Sequence, residues 1–255
     1  MTTPHDAERT SRVASGQVAT DRASIDSVAR VLAGLRVLED TTGAAEVLPS
    51  VLAQRALMTR LAHSARDGVR PVAAGLLSEL EQYLGWLSIP LERWEDSRRH
   101  LDRACVLALE ANDPIRLSHA LSFQSFRNLR RGKLETAEAL NDAALRNDRI
   151  HPGLRTYLRF QRAEVLARGG SKQGSLTALG LAERSVDALA DDDDRPASCY
   201  YYTPGFFAGQ GAFTLLALGD RVGARKLANE ALSVLPASWR DSEWSGRWRK
   251  IAALD

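Results

Sequence analysis

Along the whole chain, small and apolar residues recur at helical spacing, while period-two runs of Val, Ile, Thr and aromatic residues are missing. A half-buried strand has to alternate, so this pattern disfavours sheet throughout. Ala and Leu are abundant and Ile is scarce, which fits helices packed on one another. The expected class is all-α.

The helical pattern is punctuated at intervals. Residues 24–39 open on Ser24-Ile25-Asp26 as a cap and carry Val28, Val31, Leu35 and Leu38 near helical spacing, and residues 44–65 follow as a second helix. Beyond them a helix, turn, helix unit recurs. Leu84-Gly85 begins a unit that turns near Glu92-Arg93-Trp94 and continues through Leu101, Ala104, Cys105 and Ala108 to Asn112-Asp113-Pro114. The next turns lie at Arg131-Gly132-Lys133, Arg168-Gly169-Gly170 and Leu218-Gly219-Asp220. The last leads through Ala224, Leu227, Ala228, Ala231 and Leu235 to Pro236, which cannot continue a helix. Self-similarity on this scale is the signature of stacked repeats, with inserted loops such as 191–197 stretching the later spacing.

Charge and cysteine content narrow the function classes. Lys and Arg total 34 against 32 Asp and Glu, a net charge of +2, which argues against a surface that coats nucleic acid. Cys105 and Cys199 have no partner at disulfide or zinc spacing, so a reducing cytoplasm is expected. Residues 1–20 lack the apolar core of a secretory signal, and residues 1–23 read as a flexible polar tail. Residues 196–219 carry no charge, but Pro204 and several glycines interrupt them, which suits a buried helix better than a membrane span.

Catalytic and metal-binding patterns were sought along the same chain. His5, His63, His100, His119 and His151 form no HExxH pair, so no metal site is expected. Residues 168–175 invite a phosphate-loop reading, yet the Gly-Lys-Ser/Thr order is wrong and no strand precedes them; an interhelical turn is the better explanation. Gly209-Gln210-Gly211 is a fragment of a dinucleotide signature that in a helix permits close packing. The run Asp191 to Asp194 lacks the spaced ligands of a calcium loop. Neither a cofactor nor an enzymatic activity is expected.

The repeating units resemble tetratricopeptide repeats. Gly219, Ala224, Ala231 and Pro236 fall on that pattern's turn, small packing positions and terminating proline; Gly132, Ala137 and Ala144 match in an earlier unit, as do Leu84, Gly85 and Ala104 in the first. In that first unit Glu92 replaces the turn glycine and Ser97 one small residue. Leu84-Gly85-Trp86-Leu87, the segment 104–114 and the late Leu-Gly-Asp unit together are similar to the C-terminal repeat domain of actinobacterial helix-turn-helix transcriptional regulators. The basic residues are mostly Arg, with Lys only at 133, 172, 226 and 250, a bias of GC-rich genomes. The resemblance implies a right-handed helical solenoid over residues 24–255, with a helical extension at 24–66 and a cap at 237–255. It implies a binding module linked to transcriptional regulation; no DNA-binding domain precedes the repeats, so direct DNA binding is not expected.

In such a stack the first helix of each pair lines the concave side. Counting back from each turn collects Glu79, Gln82, Tyr83 and Trp86; His119, Ser122, Phe123 and Phe126; Arg159 and Phe160; then Phe206, Gln210 and Phe213. Interleaved aromatic and polar groups suit a peptide or protein segment, with Gln82, His119, Arg159 and Gln210 as the accessible polar members and Arg159 able to pair a carboxylate. The competing assignment for each aromatic is core packing. Trp244 and Trp248 are expected to bury against the last pair as part of the cap, in preference to forming a stacking platform for nucleic acid. The alternative function is a dimeric sensor that binds a small-molecule effector and signals to a DNA-binding partner.

Overall fold

The computed structural model describes residues 8–9, 11–13, 15, 18–189 and 197–255. Among them the regular elements are α-helices and one 3₁₀ turn at Ala197–Cys199, with no strand. The helices are α1 Arg22–Thr42, α2 Ala44–Ser64, α3 Arg70–Leu87, α4 Trp94–Glu110, α5 Pro114–Arg130 and α6 Leu134–Leu145. They continue as α7 Pro152–Arg168, α8 Lys172–Asp187, α9 Pro204–Ala217, α10 Arg221–Val234, the short α11 Ala237–Arg240 and α12 Gly246–Ala252. Neighbours in sequence pack in pairs, and α1 also meets α3, as α7 meets α9. The chain forms two compact units, Met1–Phe123 and Gln124–Asp255, the division falling inside α5.

Side chains of the loops start the helices. Asp21, rather than Ser24, caps α1, its Oδ1 accepting from the Ser24 backbone N–H at 2.9 Å. Thr203 caps α9 and Asp220 caps α10 in the same way. In the first unit one core gathers Val28 and Leu32 of α1, Val47 and Val51 of α2, and Leu76, Leu80 and Leu84 of α3. Val13 joins this core and Thr20 is buried, its Oγ1 donating to the Leu61 carbonyl at 3.0 Å, so these two residues of the expected tail are packed. The acidic run 191–194 lies outside the described residues.

Four helical hairpins share one register. In the first three a small residue on the first helix meets a small residue on the second, Gly85 with Ser97, Ser125 with Ala137 and Ala163 with Ser175, and the buried Ala212 and Ala224 hold the corresponding positions in the fourth. In the first three the serine hydroxyl donates to the facing backbone carbonyl: Ser97 to Gly85 at 2.9 Å, Ser125 to Ala137 at 2.7 Å and Ser175 to Ala163 at 2.9 Å. A buried alanine follows one heptad later in every second helix: Ala104, Ala144, Ala182 and Ala231. Absence of bulk lets the paired backbones approach, and the hydroxyls satisfy themselves on the carbonyls they meet.

The turns are equally alike. Glu92, Gly132, Gly170 and Gly219 occupy the same position with φ of 56°, 71°, 82° and 84°. After each comes a backbone N–H that reaches back five residues: Arg93 to Ser88, Lys133 to Asn128, Ser171 to Leu166 and Asp220 to Leu215, all at 2.9 Å. This is the Schellman closure, in which a left-handed residue lets the chain cap the carbonyls of the helix it leaves. Residues 168–175, read against a phosphate loop, thus contain the third of these turns.

No helix among the described residues is long and apolar enough to cross a membrane. The uncharged stretch near 204–217 is α9, whose Gly209 faces the ring of Trp248 and whose Phe207 is buried. A Cβ at Gly209 would overlap that indole, so the absence of a side chain is what seats α12 against α9.

Candidate functional site

The residues singled out from the sequence divide between the two units. In the first, Gln82, Tyr83, His119 and Ser122 are buried, Glu79 is mostly buried and Trp86 is half-buried. Gln82 and His119 were expected to be accessible and are not. The reason for Gln82 is that α3 packs against α1, α2 and α4, which leaves its polar positions little open surface. His119 and Trp86 both meet Phe123, with ring centroids 5.3 and 5.8 Å away. The Ser122 hydroxyl turns back onto the His119 carbonyl at 2.7 Å.

In the second unit Phe126, Arg159 and Gln210 are half-buried, whereas Phe160, Phe206 and Phe213 are buried. The Arg159 guanidinium donates to the Ser185 hydroxyl of α8. Phe206 sits among the rings of Tyr157, Tyr202, Trp244 and Trp248, all with centroids within about 6.3 Å. Such edge and tilted contacts are typical of packed aromatic cores. Here the bland assignment of these side chains is the one their burial supports.

Glu79 is the exception, because an ionised network assembles around it. Its Oε1 accepts from Arg36 Nη1 at 2.8 Å and its Oε2 from Arg116 Nη2 at 3.1 Å. Arg116 also donates to Asp113 at 2.6 Å, and Arg36 lies over the Tyr83 ring, 5.2 Å from its centroid. Burial alone would raise the Glu79 pKa, but the two guanidinium groups overcome it and hold the carboxyl at about 2. His119 beside this cluster is held at about 4, first by burial and then by the positive charges of Arg36 and Arg116 against the opposing Glu79. Its Nε2 is buried with no hydrogen-bond partner among the described residues. His119 is therefore a neutral ring at neutral pH.

Beside the network opens a cleft of about 440 Å³ within the first unit. Its lining includes the apolar Ile25, Ala29, Pro71, Val72 and Leu76 and the charged Arg22, Asp26, Glu79, Asp113 and Arg116. Apolar and charged side chains thus line one open cleft. Among the described residues no group of three or more His, Cys, Asp or Glu side chains is placed to hold a metal ion.

The second unit carries a different charged cluster. Tyr157, Gln161, Glu164 and Arg168 lie on one stripe of α7. Glu164 is buried, and its Oε1 lies 2.7 Å from Arg168 Nη2 and 3.7 Å from Arg247 Nη2 of α12. Arg247 lies over Phe213, its guanidinium carbon 3.8 Å from the ring centroid. Burial, with Arg130 and Arg168 nearby, lowers the Arg247 pKa to about 10 despite Glu164.

Neither charged network was read from the sequence beyond Glu79. Arg36 reaches Glu79 across 43 residues and Arg116 across 37, separations that no local spacing reveals. The α7 stripe was within reach of helical periodicity, since its residues fall on one face, but Arg247 arrives from a distant element. No protein-family model matches this chain, and no curated protein matches it.

Proposed function

We propose that this chain is a tetratricopeptide-like helical-repeat module of the cytoplasm that binds a protein or peptide segment and takes part in transcriptional regulation without catalysis of its own. The observation that carries this reading is the common register of the four hairpins. Their buried small residues and turns repeat, and half-buried aromatics recur at Trp86 and Phe126, while another partly exposed first-helix position changes in chemistry: Leu121 of the second, Arg159 of the third and Ala208 of the fourth correspond. A scaffold held constant beneath varied surface groups is how repeat proteins recognise extended ligands. The regulatory link rests on the resemblance of residues 84–87 and 104–114 to repeat domains of helix-turn-helix regulators. Cys105 and Cys199 form no disulfide among the described residues, which fits a reducing compartment.

Panning a random peptide display library against the intact chain tests the binding role. A consensus peptide should emerge whose Kd, by fluorescence polarisation, weakens at least tenfold in Trp86→Ala or Phe126→Ala at unchanged melting temperature. No enriched sequence, or affinity indifferent to both substitutions, sinks the reading.

The cleft of about 440 Å³ beside Glu79 favours a second reading, a dimeric sensor that takes a small-molecule effector there and signals to a DNA-binding partner. Val72→Trp would fill it. A compound that raises the melting temperature of the wild type by several degrees and leaves this variant unmoved supports the sensor; protection that survives the substitution removes the cleft from consideration.

A further inference from the structure

The arginines of the second unit outnumber the charge they neutralise. Arg168 and Arg247 converge on a single oxygen, Glu164 Oε1. Arg130, the last residue of α5, follows Leu129, which shares a buried cluster with Val165 of α7, and this places Arg130 near enough to Glu164 and Arg168 to feel their charges. Among the described residues, three guanidinium groups against one buried carboxylate leave two positive charges over. Arg168 and Arg247 keep about a third of their side-chain surface open, at 36% and 29%, while Glu164 keeps only 5%. The carboxylate lies deep and the cations face outward. Phe213 forms an apolar floor under Arg247, fixing the plane of that guanidinium.

A guanidinium offers several N–H donors in a fixed fork that matches the geometry of an oxyanion. Side chains of like charge gathered in a partly dry place repel one another, and a bound anion removes that repulsion. A single carboxylate would leave one charge over. A phosphate monoester carries close to two negative charges at neutral pH and three acceptor oxygens, one for each arginine.

We propose that Arg130, Arg168 and Arg247 form a binding site for a phosphoryl dianion, with Glu164 holding two of the arginines in place from beneath. The site lies wholly in the second unit and does not rest on peptide binding by the repeats or on the cleft beside Glu79. The phosphoryl group can be borne by a small molecule or by a peptide side chain, and both present the same chemistry.

The test is calorimetric titration of the intact chain with inorganic phosphate, phenyl phosphate, a phosphoserine peptide and succinate, at one ionic strength set with chloride. Saturable binding of the phosphates is expected, with the Kd at least tenfold weaker in Arg130→Gln and in Arg168→Gln. Arg98→Gln, on the exposed face of α4, should leave it unchanged. Arg130 is exposed and makes no ion pair among the described residues, so its variant should melt as the wild type does, and that melting curve separates lost binding from lost folding. Equal affinity for phenyl phosphate and phosphopeptide assigns the site to the phosphoryl group whatever bears it; tighter binding of the peptide assigns it to a peptide-borne group. The proposal is overturned if no phosphate binds saturably, if succinate binds as tightly, or if Arg130→Gln and Arg168→Gln bind like the wild type.

Discussion

Gly209 and Gly34 show how one residue type carries opposite consequences in one chain. A methyl group at Gly209 would overlap the indole of Trp248, a buried ring with no room to retreat, whereas at Gly34 of α1 nothing lies within 4 Å of the added atom. Gly209→Ala should therefore lower stability by about 2 kcal/mol, the overpacking cost exceeding the helix-propensity gain. Gly34→Ala should raise stability by roughly 1 kcal/mol, since propensity acts there alone. Urea unfolding of the two variants checks both signs at once. His119 supplies a pH dependence at the same scale. Its folded pKa of about 4 lies below its ordinary 6.5, so the unfolded chain takes up the proton first. The stability contributed is complete above pH 6.5 and is lost as pH falls through about 4, to an extent on the order of 3 kcal/mol. Glu79, depressed from 4.5 to about 2, extends the loss into a lower window, between pH 4.5 and 2. Unfolding free energy measured from pH 7.5 to 4.5 should thus decline, and His119→Gln should flatten the decline. A slope identical in the variant would mean that another group titrates.

Turns between paired helices test the element scale, because one position is occupied by glycine three times and by Glu92 once, always with positive φ. An L residue with a Cβ is strained in that region, and glycine is not. Glu92→Gly should therefore stabilise the first hairpin by about 0.5–1 kcal/mol, and Gly219→Ala should cost the fourth about 1 kcal/mol. Chemical denaturation with the intact chain reads both; a destabilising Glu92→Gly would show that its side chain contributes more than its backbone conformation costs. These turns also mark what was legible beforehand. Gly132, Gly170 and Gly219 punctuate the pattern openly, and even Glu92 was placed at a turn because small and apolar residues resumed at helical spacing after it. The all-helical class follows from that periodicity. The site was less legible, for a physical reason: periodicity reports which face of a helix is apolar, not how many neighbours cover it. Gln82 looked accessible on α3 until three other helices were packed around it. Arg36, Arg116 and Arg247 come to their carboxylates from other elements, and only the fold brings them there.

At the scale of the whole molecule, contacts run between neighbouring elements: within the second unit α7 of the third hairpin meets α9 of the fourth, α9 pairs with α10, and α10 meets α12. Under the proposed repeat reading, stability is a sum of each pair's own term and its contacts with the next, so damage in one pair should stay near that pair. Trp248 is suited to the test because it is 1% exposed and its Nε1 has no hydrogen-bond partner among the described residues. Replacing it with alanine removes packing without breaking a polar contact of the indole, a loss of about 3–5 kcal/mol. Phe206 and Phe213 lose a ring they pack against, and Gly209 loses the surface it accommodates. Hydrogen exchange of the Trp248→Ala chain should accelerate in α9, α10 and α12 and remain at wild-type rates in α6 of the same unit. Acceleration spread evenly over all helices would instead describe one cooperative globule, in which a shared register of hairpins does not translate into local stability, and the repeat-module reading would lose its energetic basis.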